Sequence, residues 1–293
     1  MKLASLLTEQ GPHWGVVEGD ELVLPGTLAM SCRRLEHLVH RGPDVARRWG
    51  DAVVAEAGSQ RVELPLAKLD APLRPNRNVM CLGLNYAEHA RESLAASNKP
   101  FELPEAPVVF TKSPSSIIGP GDLIPYDPRI SEKLDWEVEL GVVIGKEGAH
   151  IPEERALEHV FGYTVINDVS ARDLQFRHKQ FYLGKSIPGG CPMGPWLVTA
   201  DEIPDPHALA VECRVNGEPK QSSSTSDLIF GIPRIVHLLS RVHPLVPGDV
   251  IATGTPEGVG FARTPPQFLQ PGDEVACEIQ GIGTIVNRVA QVT

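Results

Sequence analysis

Glu137 and Glu139 stand two positions apart in Asp135–Lys146, an otherwise apolar run rich in β-branched residues that closes on Gly145-Lys146. Such a run reads as a β-strand. Side chains alternate between the faces of a strand, so the two carboxylates share one face, roughly 7 Å apart. Trp136, Val138 and Leu140 then take the opposite, buried face. Neighbouring carboxylates repel, so this pair either faces water, as charged residues mostly do, or holds something cationic. The second case is a site of hard oxygen ligands, the kind that Mg²⁺ or Mn²⁺ selects. Phe161–Asp168 reads as another apolar strand, ending on a carboxylate well placed to complete a three-carboxylate site. Water and substrate oxygens would fill its remaining positions.

Other groups could serve such a site. Ala87–Leu94 has the composition of a helix, and His89 and Glu92, three apart, share one of its faces. A carboxylate beside an imidazole fixes the tautomer and makes the ring a better general base; the same spacing is also common on solvated helices. Ser170–Gln175 brings the Arg172 guanidinium and the Gln175 amide within a turn of Asp168. Lys112 ends the strand Pro107–Lys112, a place where a lysine is ordinarily just solvated. Gly254–Gly260 lacks the P-loop spacing and its Gly-Lys-Ser/Thr ending. It reads as a tight turn letting backbone and the Thr255 hydroxyl approach a ligand.

The elements that position these groups are mostly strands, since a 293-residue chain with 27 Gly and 27 Pro is expected to be rich in strands and turns. The length allows one large domain or two. Residues 1–70 read as a small N-terminal β-rich domain, with strands at Leu3–Leu7, Trp14–Glu18, Glu21–Leu24 and Arg61–Leu64 and a helical stretch near Arg33–Trp49. No chemistry is visible there. Asp70–Pro75 has two prolines in four residues and reads as a linker, leaving 71–293 as the larger domain, which holds the candidate residues above. Within it, Ala95–Glu105 is a polar loop of the kind that forms lids, Pro152–His159 and Leu228–Arg241 read as helices, and Ile187–Pro195 as a Gly/Pro-rich loop. Asn216-Gly217 closes a hairpin.

The net charge of −10 argues against nucleic-acid or anionic-membrane partners, and an anionic substrate would need local positive charge or a metal. Five cysteines, odd in number, widely spaced and without a CxxC pair, read as reduced thiols of a cytoplasmic protein. Met1–Leu7 lacks the apolar run and cleavage site of a signal peptide, and no run of about 18 apolar residues occurs to span a membrane.

Taken in order, Gly83-Leu84-Asn85-Tyr86-Ala87-Glu88-His89, Asp135–Lys146, Gly162–Gln175, Gly184-Lys185-Ser186, Val215-Asn216-Gly217-Glu218 and Pro247–Gly260 resemble the fumarylacetoacetate hydrolase family. The branch they are most similar to holds acylpyruvate hydrolases and hydroxymuconate isomerases. The resemblance runs from about residue 75 to the end; the first 70 residues are similar only to the variable leading domain of longer members. It implies a mixed, mainly-β fold, a β-sheet roll with few helices, usually a homodimer. Glu137, Glu139 and Asp168 then match ligands to Mg²⁺ or Mn²⁺. His89 with Glu92 matches a dyad, on a lid segment, that activates water. Lys185 matches a lysine beside the metal that stabilises developing negative charge, and Lys112, Arg172, Gln175 and Thr255 fall where members line the substrate pocket. Two departures bear on substrate identity: Phe181 replaces a frequent Trp, and Ile187-Pro188-Gly189-Gly190 replaces an Asp-containing loop.

The activity this implies is hydrolysis of a carbon–carbon bond in an acylpyruvate-type 1,3-diketo acid, a small anionic 2-oxo acid. The metal would polarise the carbonyl and stabilise the departing enolate while His89, oriented by Glu92, activates water. Without the water attack, the same site would serve a 2-oxo acid decarboxylase or a tautomerase or hydroxymuconate-type isomerase, and fold alone does not choose. A non-catalytic metal-binding β-protein would be expected to have lost the dyad or Lys185; both are present.

Overall fold

The computed structural model describes residues 1–9, 11–26, 32–96, 100 and 102–292. Residues 97–99 and 101 of the expected lid loop lie outside these. The architecture is mainly β. Among the described residues a twelve-stranded sheet runs in the order Gln60–Glu63, Glu21–Leu24, Gly11–Glu18, Lys2–Thr8, Cys191–Thr199, Val160–Asn167, Val138–Ile144, Val250–Ala252, Val79–Gly83, Val108–Lys112, with two short strands beside this path. A five-stranded sheet, Glu218–Ser224, Ala210–Val215, Glu274–Ile279, Gly283–Gln291, Leu123–Tyr126, packs against it. Asn216-Gly217 closes the hairpin at its edge with both residues at positive φ (53° and 78°), as a two-residue primed turn requires.

Alternation along Val138–Ile144 decides where the core lies. Val138, Leu140, Val142 and Ile144 join a core with Val211, Cys213, Val275 and Cys277 of the five-stranded sheet. Val143 points the other way, into a core shared with Phe110, Phe161, Ile166 and Met193. Every residue of the strand is buried. The expectation of one buried face is therefore corrected: the face bearing Glu139 is covered as well, the situation of a central strand with structure on both sides.

The first 70 residues and the rest share one sheet and one core. Leu3 pairs with Leu197, and Leu3, Trp14 and Leu38 pack in the same cluster as Val143 and Leu197. Leu73, in the expected linker, is fully buried within it. The helical stretch expected near 33–49 is two helices, Leu35–Val39 and Pro43–Ala55, broken at Gly42 (φ 86°) ahead of Pro43. Glu153–His159 is a 3₁₀ rather than an α-helix. Residues 191–195 belong to a strand rather than to the Gly/Pro-rich loop, because pairing of Met193 and Gly194 with Ile166 and Val165 overrides local propensity. All five cysteines are free and buried. Among the described residues no helix is long and apolar enough to cross a membrane.

Candidate active site

Glu137 and Glu139 flank Val138, the first residue of its strand, and Asp168 follows directly on Val160–Asn167. These strands pair antiparallel with Val138 opposite Asn167, which sets their carboxylate-bearing ends side by side. Asp168 N donates to Glu137 O at 2.8 Å, and Asn167 Oδ1 accepts from Glu137 N at 3.1 Å. One carboxylate oxygen from each of Glu137, Glu139 and Asp168 lies within 4.8 Å of the others, and all three residues are buried. With Glu139 only 1% exposed, a solvated pair is excluded.

Buried carboxylates need partners. Lys185 Nζ donates to Glu137 Oε2 at 2.6 Å and to Asp168 Oδ2 at 2.8 Å. Lys112 Nζ donates to Asp168 Oδ1 at 2.5 Å and to Val169 O at 3.1 Å. Arg172 Nη2 lies 2.7 Å from Glu137 Oε1. Among the described residues, Asp135, Glu137, Glu139 and Asp168 thus face three buried cations, Lys112, Arg172 and Lys185, leaving one negative charge in excess. Burial works to raise Glu137, but Lys185 and Arg172, with His89, hold it at about 2. Glu139 goes the other way: burial first, then the charges of Asp168 and Glu137, push it well above the ordinary carboxylate range despite Lys185 and the Gly254 N–H. Three converging hard oxygens, whose carboxylates exceed the buried cations by one charge once Glu139 gives up its proton, fit a divalent cation.

This arrangement sets a pH dependence. With the metal stripped, the folded state keeps the Glu139 proton after the unfolded chain has lost it, so stability falls as pH rises above the normal glutamate value. The slope for one such group is up to about 1.4 kcal/mol per pH unit. Glu139→Gln should flatten it, checked by melting curves of both proteins in EDTA between acid and neutral pH. Parallel curves for the two would contradict the raised value.

The helix Ala87–Ala96 carries the dyad. His89 Nδ1 lies 3.0 Å from Glu92 Oε1; a carboxylate only accepts, so Nδ1 carries the proton and Nε2 is left as the base. Ser93 Oγ, one turn on, is 3.4 Å from Nε2. Both Glu92 oxygens accept from Gly258 N at 3.0 Å. Gly258 has φ +98°, and a Cβ there would collide with Lys220 O. Gly258→Ala should therefore displace the N–H that holds Glu92, lowering turnover roughly ten-fold with Mn²⁺ affinity retained; kinetics and a Mn²⁺ titration of the variant check this. The helix is itself tied down by Asn85, whose Nδ2 donates to Thr253 O (2.7 Å) and Phe230 O (3.0 Å).

His89, Ser93, Glu137, Glu139, Arg172, Gln175, Lys185 and Thr255 line one cavity of about 170 Å³, its remaining wall apolar with Leu82, Phe110, Phe181 and Phe261. Lys112, Asp168 and Glu92 stand behind this lining, each bonded to a residue of the cluster or its supports. Lys112 therefore does not reach the cavity: it is 0% exposed, its ammonium turned to Asp168. Thr255 does line it, but its hydroxyl donates to Val138 O (2.9 Å) and accepts from Gln221 Nε2 (2.8 Å). Gln175 Oε1 accepts from Arg172 Nη1 at 2.8 Å.

The fumarylacetoacetate hydrolase C-terminal family model matches residues 78–290. The chain belongs to the fumarylacetoacetate hydrolase family. It is 46% identical over 267 residues to the oxaloacetate tautomerase YisK of Bacillus subtilis, covering 91% of this chain and 87% of that one. Among solved structures, a fumarylacetoacetate hydrolase from Exiguobacterium antarcticum matches with a TM-score of 0.86 at 40% identity, over all of both chains. Maleylpyruvate hydrolase from Sphingobium sp. SYK-6, solved with a manganese(II) ion and pyruvate, matches with a TM-score of 0.80 at 29% identity, again over all of both. The chain is thus an enzyme of this family, and its β-sheet roll is the family's.

Several supports of this site carry no local signal in the sequence. Gln221, on the far sheet, accepts from Val138 N at 3.0 Å and donates to Pro256 O at 2.8 Å. Asp135, in the short strand Leu134–Asp135 ahead of the glutamates, reaches the 260–261 backbone. Ser93 alone could have been found, being one helical turn from His89.

Proposed function

We propose that this fumarylacetoacetate hydrolase family member is a divalent-metal-dependent tautomerase that interconverts the keto and enol forms of oxaloacetate, a small 2-oxo dicarboxylate. The observation that carries the reading is His89, held from behind by Glu92, on the same cavity of about 170 Å³ as Glu137 and Glu139, with Asp168 converging on those two from behind the wall. A base and a cation site are what moving one proton between carbon and oxygen requires. Pockets for larger ligands run from about 300 Å³ upward, so this one suits a short acid. The 46% identity to a protein named as an oxaloacetate tautomerase points the same way.

Glu137, Glu139 and Asp168 would hold Mg²⁺ or Mn²⁺; when bound, the ion supplies Lewis acidity to the 2-oxo acid and turns the excess negative charge of the cluster positive. Lys185 and Arg172 add cationic character to the wall that receives the anion. His89 Nε2 removes the proton from the carbon between the two carbonyl-bearing carbons and returns it at oxygen, while Glu92 holds the ring and stabilises its charged form. Phe110, Phe181 and Phe261 exclude water from the other side.

Hydrolysis of an acylpyruvate is the second reading, favoured by the same dyad, which can equally take a proton from water. The test is a comparison of purified protein with Mn²⁺ on the enol form of oxaloacetate and on acetylpyruvate, each with an EDTA control. Metal-dependent acceleration of ketonisation with slow or absent acetylpyruvate cleavage supports the tautomerase. Efficient cleavage without ketonisation would replace it with the hydrolase.

A further inference from the structure

Asp135 is fully buried, lies outside the cavity lining, and accepts four hydrogen bonds. Trp136 N (2.9 Å) and Gly260 N (2.7 Å) reach Oδ1; Phe261 N (3.0 Å) and Arg172 Nε (2.8 Å) reach Oδ2. Its place follows from a two-stranded ribbon in which Leu134 and Asp135 pair with Ala171 and Ser170, so that Arg172, the next residue, starts its helix beside the carboxylate. Gly260 permits the approach, since a Cβ there would run into Gln267 O and Asp135 Oδ1. The Phe261 ring then lies 4.4 Å from the Arg172 guanidinium.

The consequence for Arg172 is specific. Asp135 occupies Nε and Gln175 occupies Nη1. Nη2 is ion-paired with Glu137 Oε1 at 2.7 Å without a well-aligned hydrogen bond to it, so this buried nitrogen, which carries two N–H groups, keeps donor capacity for a further acceptor. The cavity into which Arg172 projects is where a substrate would bring one. Two residues before Gly260, Gly258 N holds Glu92, so the backbone that Asp135 grips also supports the dyad.

We propose that Asp135 is a positioning residue: by fixing Nε of Arg172 and the 260–261 backbone, it aims the Nη2 edge of that guanidinium, which also pairs with Glu137, at the second carboxylate of a 2-oxo dicarboxylate. This rests on the dicarboxylate reading above. A purely architectural carboxylate would stabilise the fold and treat all substrates alike; a positioning one discriminates between acids with one and two carboxylates.

The experiment uses Asp135→Asn, Arg172→Lys and the double variant, with Mn²⁺. It measures kcat and KM for oxaloacetate, Ki for pyruvate as a one-carboxylate competitor, and melting temperature. Asp135→Asn should raise the oxaloacetate KM by about ten- to a hundred-fold, moving KM more than kcat and leaving the pyruvate Ki within about two-fold. In the Arg172→Lys background the same change should add less than about two-fold, because both act through one group. Losses that add in full, equal weakening of pyruvate and oxaloacetate, or an unaltered Asp135→Asn enzyme each overturn the proposal. If the wild-type protein does not turn over oxaloacetate, the substrate reading fails and takes this inference with it. Normal wild-type turnover with additive variants defeats the inference alone.

Discussion

Asp168→Ala is expected to give a protein that neither retains Mn²⁺ nor turns over substrate, with kcat/KM down on the order of a thousand-fold, and that is also markedly less stable. The two losses have separate causes. As one of the three converging carboxylates, Asp168 would contribute a ligand oxygen. As the partner of Lys112 and Lys185, it is ion-paired with two buried ammonium groups. Removing one side of a buried pair costs about 3–5 kcal/mol because a charge is left without compensation. Lys185 keeps Glu137, but among the described residues Lys112 keeps only the Val169 carbonyl. Asp168→Asn, which preserves shape, should lose the metal with a smaller penalty. Calorimetric Mn²⁺ titration and urea unfolding in EDTA separate the effects. Wild-type Mn²⁺ affinity in the alanine variant would remove the three-carboxylate site from consideration.

His89→Ala should act on a different quantity. The imidazole touches no other carboxylate of the cluster by hydrogen bond; its partners are Glu92 and Ser93. Mn²⁺ affinity and KM should therefore change little, while kcat falls by about 10²- to 10⁴-fold, the usual worth of a positioned general base. Glu92→Gln should cost less, since an amide can still hold the ring through Nδ1 but no longer stabilises its charged form. Oxaloacetate ketonisation that survives His89→Ala intact would move the proton-transfer role elsewhere and leave the metal ligands as the chemical centre.

What could be read from the chain beforehand was the part that is local. Glu137 and Glu139 on one strand, Asp168 at the end of another, and His89 with Glu92 on a helix are spacings within a single element, where period alone places side chains on a face. Lys112 shows where this fails. As a strand-end lysine it looked like an ordinary solvated group, and nothing near it in sequence announces the carboxylate 56 positions later to which it is bonded. Asp135, Gln221 and Asn85 belong to the same class: each satisfies backbone groups of a distant segment, and the pairing exists only once the sheets have assembled. The leading part of the strand at Cys191–Thr199, residues 191–195, was hidden for a related reason. Its glycine and prolines oppose extended pairing locally, and neighbours on both sides, Val165–Ile166 and Ile117–Ile118, impose it.

The way Lys2–Thr8 lies against Cys191–Thr199 has a consequence for anyone trimming the chain. Residues 1–70 look dispensable, since none of the described residues among them lines the cavity. Yet removing them would strip one side of a strand whose other neighbour is the Val160–Asn167 strand beside the glutamates. Unpaired N–H and C=O groups on an apolar strand are a template for another chain. Deletion is therefore expected to yield insoluble aggregate rather than a smaller enzyme, and the leading segment acts as a guard against aggregation.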